Sequence, residues 1–270
     1  MKLFVGNKAY SSWSLRAWLA LREAAQAPPA SWGDAAATAE EEGGRAAQVP
    51  VGARGGFVEV VLELAGAGSD VKRAELEVYS PSGKVPALVD PRAGGLTVWD
   101  SLAIIEYVAE LAPEARLWPQ DQGLRAVARS ACAEMHSGLE HLRAAMPMNT
   151  RKVLVPGDGK RAAVLLDERL LADIERVKSL WAECRRATSM DATGGQGAEK
   201  GTDGPYLFGH FTAADAMFAP VVLRFRTYRL SEAGECGLLG PEDVAYCRAI
   251  LDFEGVQEWI AAAAQEAHRI

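Results

Sequence analysis

No uninterrupted apolar run in the 270-residue sequence approaches the roughly 20 residues needed to cross a bilayer. The apolar opening, Met1-Lys2-Leu3-Phe4-Val5-Gly6, is too short for the core of a signal peptide, so the expectation is a cytoplasmic protein with no membrane partner. Positive charge is also short: 29 Lys and Arg face 36 Asp and Glu, a formal net charge of -7, and no sustained basic run exists. Such a surface cannot neutralise a phosphate backbone, which argues against nucleic acid as a partner. Arg224, Arg226 and Arg229 alternate with Phe225 and Tyr228, but three arginines on an acidic chain do not reverse that. Cysteine is scarce. Cys132, Cys184, Cys236 and Cys247 stand far apart, without the close pairs of redox or zinc motifs, and read as reduced structural thiols. Histidine is as rare. His136 and His141, with Glu140, suggest a metal at first sight, but two histidines five apart point to different sides of a helix, so no metal is expected.

What the sequence does have is apolar bulk: 49 % of residues are hydrophobic, enough for one large core or two moderate ones. Lys2 to Val5 reads as a strand, and Leu15, Trp18 and Leu19 mark the helix that follows. From Pro28 to Gly56 the composition turns to Ala, Gly, Pro and Glu without periodicity, an insertion that buries too little to offset the entropy of ordering it. Phe57 to Leu64 is a second strand, and Asp70 to Val78 a short polar helix or turn. Val85 to Asp90 and Leu96 to Trp99, joined through Pro91 and Gly94-Gly95, form a hairpin, and a helix starts after Asp100. Residues 1–111 thus make an α/β domain, with the insertion in its first crossover. Pro113 and Pro119 mark a linker over 112–119. Residues 120–270 read as helical throughout, apart from a Gly-rich loop at 187–204. One long helix carries Leu124 through Met146 and ends at Pro147, a second covers Val164 to Arg186, and Thr212 with Asp215 has capping-box spacing for a third.

The chemistry gathers at the hairpin. Pro86 has no amide to give a sheet ladder, which predicts the start of an edge strand, where a cis Val85-Pro86 bond would turn the Val85 amide and carbonyl outward. Asp100-Ser101 precedes a helix whose first-turn amides, hydroxyl and dipole make an anion seat, with Asp100 able to hold an ammonium group. A small ligand with a carboxylate, an amine and a peptide backbone fits that corner. Ahead of the first helix, any of Ser11, Ser12 and Ser14 could serve as its N-cap, a role that contributes about 1 kcal/mol.

Val85-Pro86 and Asp100-Ser101, together with YSSWSLRAWLAL from Tyr10, SACAEMHSGL and MPMN over residues 130 to 149, and FGHFTAADAMFAPVVLRFRTY from Phe208, resemble the glutathione transferase superfamily, in a bacterial-type serine subgroup related to the zeta class. The resemblance implies a thioredoxin-like N-terminal domain followed by an all-α domain, a homodimer, and glutathione as co-substrate. It also implies that Lys84, Val85, Pro86, Asp100 and Ser101 hold glutathione, and that Ser11 donates a hydrogen bond to its thiolate, with Ser12 and Ser14 as alternatives. Where the zeta class carries Ser-Ser-Cys this chain has Ser11-Ser12-Trp13, so a hydroxyl, not a cysteine, is the expected activator. Trp13, Arg143, Met148 and Asn149 are expected around the electrophile, although the methionine and arginine have packing and solvation as ordinary alternatives. Three functions follow from the resemblance: conjugation of glutathione to small electrophiles, cis-trans isomerisation of the maleylacetoacetate type, and ligand carriage without catalysis.

Overall fold

The structure, a computed structural model, describes residues 1–27, 56–62, 76–155, 157–159, 167–194, 204–231 and 237–266. The expected insertion, the larger part of the 70–78 turn, Val164 and Cys236 lie outside these residues. Two compact units divide the chain. The first takes Met1–Leu117 together with the residues from Gln265 onward, and the second takes Trp118–Ala264.

In the first unit β1 (Lys2–Gly6) leads into α1 (Ser12–Gln26), β2 (Val58–Leu62), β3 (Ala87–Asp90), β4 (Leu96–Trp99) and α2 (Ser101–Leu111). The sheet order is β2-β1-β3-β4. β1 and β2 are parallel, with Lys2 opposite Val58, as the crossover through α1 requires. β3 runs antiparallel to both β1 and β4. The hairpin turn is a short 3-10 turn, Pro91–Ala93, followed by Gly94 and Gly95 at φ 70° and 80°. Both glycines take the left-handed conformation that other residues resist, and the chain reverses there for that reason. α1 is buried almost throughout, with Leu15, Trp18, Leu19 and Leu21 at 2 % exposure or less.

One expectation about the sheet changes. β3 is an interior strand, not an edge; Pro86 avoids the ladder because the rungs start at Ala87, one residue later. β2 inverts the simple alternation rule, since Glu59 is buried to 1 % exposure while Val60, Val61 and Leu62 are only half-buried. Lys8 Nζ, itself buried, meets Glu59 Oε1 at 2.8 Å and lies 5.2 Å from the Trp18 ring centroid. A buried carboxylate demands such a counter-ion.

The described part of the second unit is helical: α3 (Gln122–Ser137), α4 (Glu140–Ala145), α5 (Glu168–Gly194), α6 (Ala213–Thr227), α7 (Pro241–Asp252) and α8 (Glu254–Gln265). The single long helix expected from Leu124 to Met146 is broken into α3 and α4. Gly138 leaves helical geometry and Leu139 adopts φ 57° and ψ 42°, a left-handed corner that swings the second segment away. Conversely, α5 runs on through residues 187–194, where a loop is expected, because no Gly or Pro interrupts the chain before Gly194. The core centres on Trp181, whose ring meets Phe218, Phe225 and Tyr246 edge-on at centroid distances of 6.0, 5.9 and 4.7 Å. Among the described residues Cys132, Cys184 and Cys247 are buried and in no disulfide, and burial pushes the Cys184 thiol up to about 12. The capping box at α6 is present. Asp215 accepts from Thr212 N at 2.8 Å, Thr212 Oγ1 at 2.9 Å, Leu207 N at 3.2 Å and Tyr246 Oη at 3.1 Å.

Candidate functional site

Sheet register decides which residues share an edge. The last rung between β1 and β3 is Phe4 with Ala87, and the last between β3 and β4 is Ala87 with Trp99. Beyond those rungs lie Val5 and Gly6 on one strand, Val85 and Pro86 on the next, and Asp100 and Ser101 after the third. One end of the sheet therefore carries all three pieces, and the head of α1 joins them, because Gly6 N donates to Ser14 Oγ at 3.0 Å.

Ser11 is the N-cap of α1. Its Oγ accepts weakly from Ser14 N at 3.4 Å and donates to Ser14 Oγ at 2.7 Å. The residue is 9 % exposed, whereas Ser14 is wholly buried and Ser12 is at 5 %. The loop before it is tied down from several directions. Asn7 O accepts from both Tyr10 N and Ser11 N, at 3.1 and 2.8 Å. Glu266 Oε1 accepts from Lys8 N at 2.7 Å, and Glu266 Oε2 from Ala9 N at 3.4 Å. Nothing in the sequence pointed to Glu266; its contact spans 258 positions and no local pattern encodes it.

The Val85-Pro86 peptide is cis, with Pro86 buried and Val85 half-buried. Lys84, just ahead, is exposed. At the start of α2 the anion seat is partly filled by the chain itself. Asp100 Oδ1 accepts from Leu102 N at 2.9 Å and from Ala103 N at 3.2 Å, so two first-turn amides already have a carboxylate. Asp100 holds φ 104°, ψ 134°, a conformation that non-glycine residues adopt only where their surroundings enforce it. Beside it, Ser101 is at 0 % exposure and its Oγ has no hydrogen-bond partner among the described residues. A buried hydroxyl without a partner is uncommon in a folded protein and costs about 1–3 kcal/mol. What remains at this corner for an anion is that hydroxyl and the Ser101 amide, which as first residue of the helix has no intrahelical acceptor.

Of the residues expected around an electrophile, Trp13 is half-buried in the first unit, with the Arg16 guanidinium 4.4 Å from its ring centroid. The other three belong to the second unit. Arg143 is half-buried and donates to His136 O at 3.1 Å. Asn149 Oδ1 accepts from Arg151 N at 3.1 Å, and its carbonyl from Thr227 Oγ1 at 3.0 Å. Met148 is at 3 % exposure and packs in the helical core. Among the described residues no group of three His, Cys, Asp or Glu side chains has the arrangement of a metal site. A cavity of about 290 Å³ in the second unit, bordered by Arg185, Tyr206 and Glu242, includes none of the residues singled out from sequence.

A four-stranded β2-β1-β3-β4 sheet with this edge, followed among the described residues by a helical unit, is similar in fold to solved glutathione transferases. BphK, a bacterial glutathione transferase solved as a ternary complex, superposes at a TM-score of 0.55 and 21 % identity, covering 98 % of this chain and 100 % of that one. Ure2p in complex with glutathione gives 0.58 and 16 %, over 97 % and 93 %. Glutathione transferase Omega 2C from Trametes versicolor gives 0.55 and 17 %, over 96 % and 92 %. At such identities the likeness shows the fold, a thioredoxin-like domain with an all-α domain. In sequence, residues 57–111 match the family described as glutathione S-transferase, N-terminal domain. The maleylacetoacetate isomerase of Rattus norvegicus is 39 % identical over 69 residues, 26 % of this chain and 31 % of that protein. A probable maleylacetoacetate isomerase of Caenorhabditis elegans is 35 % identical over 86 residues, 32 % and 36 % of the two chains. The match therefore spans about a third of these relatives' length. Residues 57–111 are thus similar to a glutathione S-transferase N-terminal domain, and a part of the chain is similar to these isomerases, while over its whole length the likeness is one of fold. No helix among the described residues is long and apolar enough to cross a membrane.

Proposed function

We propose that the protein is a glutathione-dependent transferase that binds the tripeptide along the Val85-Pro86 edge and activates its thiol for attack on a small electrophile. The observation that carries this reading is the meeting of Ser11, Val85-Pro86 and Asp100-Ser101 at one end of a sheet, with the Ser101 hydroxyl buried and unpartnered there. Val85 lies outside the ladder, so its amide and carbonyl suit the peptide backbone of the cysteinyl residue. The Ser101 hydroxyl and amide suit the γ-glutamyl carboxylate, and the negative charge of Asp100 suits the neighbouring ammonium. Lys84, exposed before the proline, offers a charge to a second carboxylate.

Ser11 would donate to the sulfur. A free thiol ionises near ~8.5, and a hydrogen bond to a charged acceptor contributes roughly 1.5–3 kcal/mol, or about one to two pKa units. That brings the bound sulfur to largely ionised at neutral pH. The test is a pH titration of thiolate absorbance on the glutathione complex. Ser11→Ala is expected to raise the thiol pKa by more than about one unit and to remove most conjugating activity while glutathione affinity is kept; unchanged turnover at neutral pH would take Ser11 out of the mechanism. A homodimer working in the cytoplasm belongs to the same proposal.

The identity to maleylacetoacetate isomerases favours a second reading, glutathione-dependent cis-trans isomerisation. Product analysis separates the two, since isomerisation returns free glutathione and conjugation consumes it. A carrier without catalysis would bind glutathione and leave its thiol pKa where it is in water.

A further inference from the structure

We infer that Ser14 is a positioning residue for the Ser11 hydroxyl, the inner half of a two-hydroxyl relay that ends on the sulfur of the bound thiol; the inference rests on reading Ser11 as the thiolate donor. The geometry comes first. Ser11 Oγ and Ser14 Oγ are 2.7 Å apart, and Ser14 Oγ also accepts from Gly6 N at 3.0 Å. Ser14 N in turn donates to Ser11 Oγ at 3.4 Å. Ser14 has no exposed surface, whereas Ser11 keeps some. Only Ser11 can therefore reach a ligand, and Ser14 can act only through it.

Each hydroxyl has one proton to give and two lone pairs to fill. With Ser11 donating inward, both lone pairs of Ser14 are taken, by the Ser11 and Gly6 protons, and the proton of Ser14 has no recorded acceptor among the described residues. The pair then holds two protons for one bond. Reversal settles this without moving a heavy atom: Ser14 donates to Ser11 across the same 2.7 Å, Gly6 keeps its acceptor, and the Ser11 proton turns outward. It needs an acceptor there, and a thiolate supplies one. The thiol proton leaves to solvent, the sulfur retains the electron pair, and no bond to either serine forms or breaks beyond the hydrogen bonds named. In the reversed state Ser11 Oγ accepts from both the amide and the hydroxyl of Ser14, which polarises its own O–H and strengthens the bond it donates.

The spacing explains why these two serines pair. The N-cap and the third residue of the first turn face one another, as in a capping box, and β1 holds the inner one through Gly6. Ser11 is thereby both a cap and a donor, and those roles use different parts of the hydroxyl: its oxygen accepts from Ser14 while its proton is free to swing.

The experiment compares glutathione complexes of wild type, Ser11→Ala, Ser14→Ala and Ser14→Thr by thiolate absorbance against pH, with the dissociation constant, the kcat and KM split, and a thermal melt for each. Ser14→Ala is expected to raise the bound thiol pKa by about 0.3–0.7 unit and to lower kcat about two- to fivefold below that pKa, with glutathione affinity unchanged within about twofold. Ser14→Thr, which keeps the hydroxyl, should return the thiol pKa to within about 0.2 unit of wild type. A folded Ser14→Ala variant whose thiol titrates like wild type overturns the relay, provided Ser11→Ala does shift it. No shift in Ser11→Ala overturns the reading of Ser11 itself, a separate failure. Should Ser14→Ala not fold because Gly6 loses its acceptor, Ser14→Cys replaces it: the sulfur keeps an acceptor of similar size but donates weakly, so the same upward shift supports the relay and a wild-type titration overturns it.

Discussion

Asp90 ends β3 with a carboxylate at 1 % exposure, gripped by Arg92 Nε and Nη2 at 3.0 and 2.7 Å, by the Arg92 amide at 2.9 Å and by Tyr107 Oη at 3.0 Å. The hydrogen bond from the Arg92 side chain, against the opposing effect of burial, holds its pKa at about 2, below the ordinary 3.8. A depressed carboxylate pKa stabilises the fold in full above the unfolded value, and that contribution is lost as pH falls through the folded value. Between about pH 4 and pH 2 the wild type should therefore lose on the order of 2 kcal/mol from this group. Asp90→Asn should show the same loss already at pH 7 and then a flatter profile, so urea unfolding of the two proteins across that range should converge in acid. Composition alone gives no sign of this grip, but the local Asp-Pro-Arg order does, because a turn that starts at Asp90 folds Arg92 back onto it. Glu59 is the opposite case. A glutamate in an alternating strand reads as a solvent-facing residue, and only Lys8, some fifty residues earlier, explains its burial. Ser11, Pro86 and Ser101 were legible because their chemistry is local: a cap, a missing amide and a helix start.

At the scale of elements, the N-terminus of α6 depends on one carboxylate. Asp215 is wholly buried and has four donors, shared between its two oxygens. Burial raises its pKa while those donors pull it down. Asp215→Asn puts an amide group where donors already point, and loss of two such bonds in a buried site is expected to cost roughly 2–4 kcal/mol. Urea unfolding checks this, with the slope unchanged if only stability is altered. The capping-box spacing made this helix start readable, and Gly with Pro made the hairpin turn readable. Helix breaks were less so. From Leu124 to Met146 the apolar period continues without a gap, yet Leu139 turns left-handed at φ 57° and divides the run into two helices. An isolated glycine such as Gly138 is tolerated in helices too often to announce a corner by itself. The position of β3 was misread for a related reason: proline excludes itself from a ladder, but it says nothing about the residues after it, and those pair on both sides.

Over the whole molecule, the two units are not two separate lengths of chain, because the residues from Gln265 onward belong with the first. Glu266 is the structural reason, with its carboxylate on the amides of Lys8 and Ala9 in the loop that leads to Ser11. Hydrogen exchange should report this directly. In Glu266→Ala the amides of Lys8 and Ala9 are expected to exchange about tenfold faster or more, a charge-assisted bond contributing roughly 1.5–3 kcal/mol, while the amides paired between β1 and β2 keep their rates. Equal rates at Lys8 in both proteins would mean that the loop is held by Asn7 and the buried Lys8–Glu59 pair alone. This contact, like the pairing of Glu59, was invisible in the sequence because distant ion pairs and carboxylate bridges leave no periodicity.

The same contact sets an order of events during synthesis. A ribosome delivers Lys8 258 positions before the side chain that fastens its amide, so a nascent first unit emerges with its strands able to pair but with the approach to Ser11 still short of one of its ties. The bonds to Glu266 are added only when that residue has cleared the exit tunnel, and the helical unit must have been translated in the meantime.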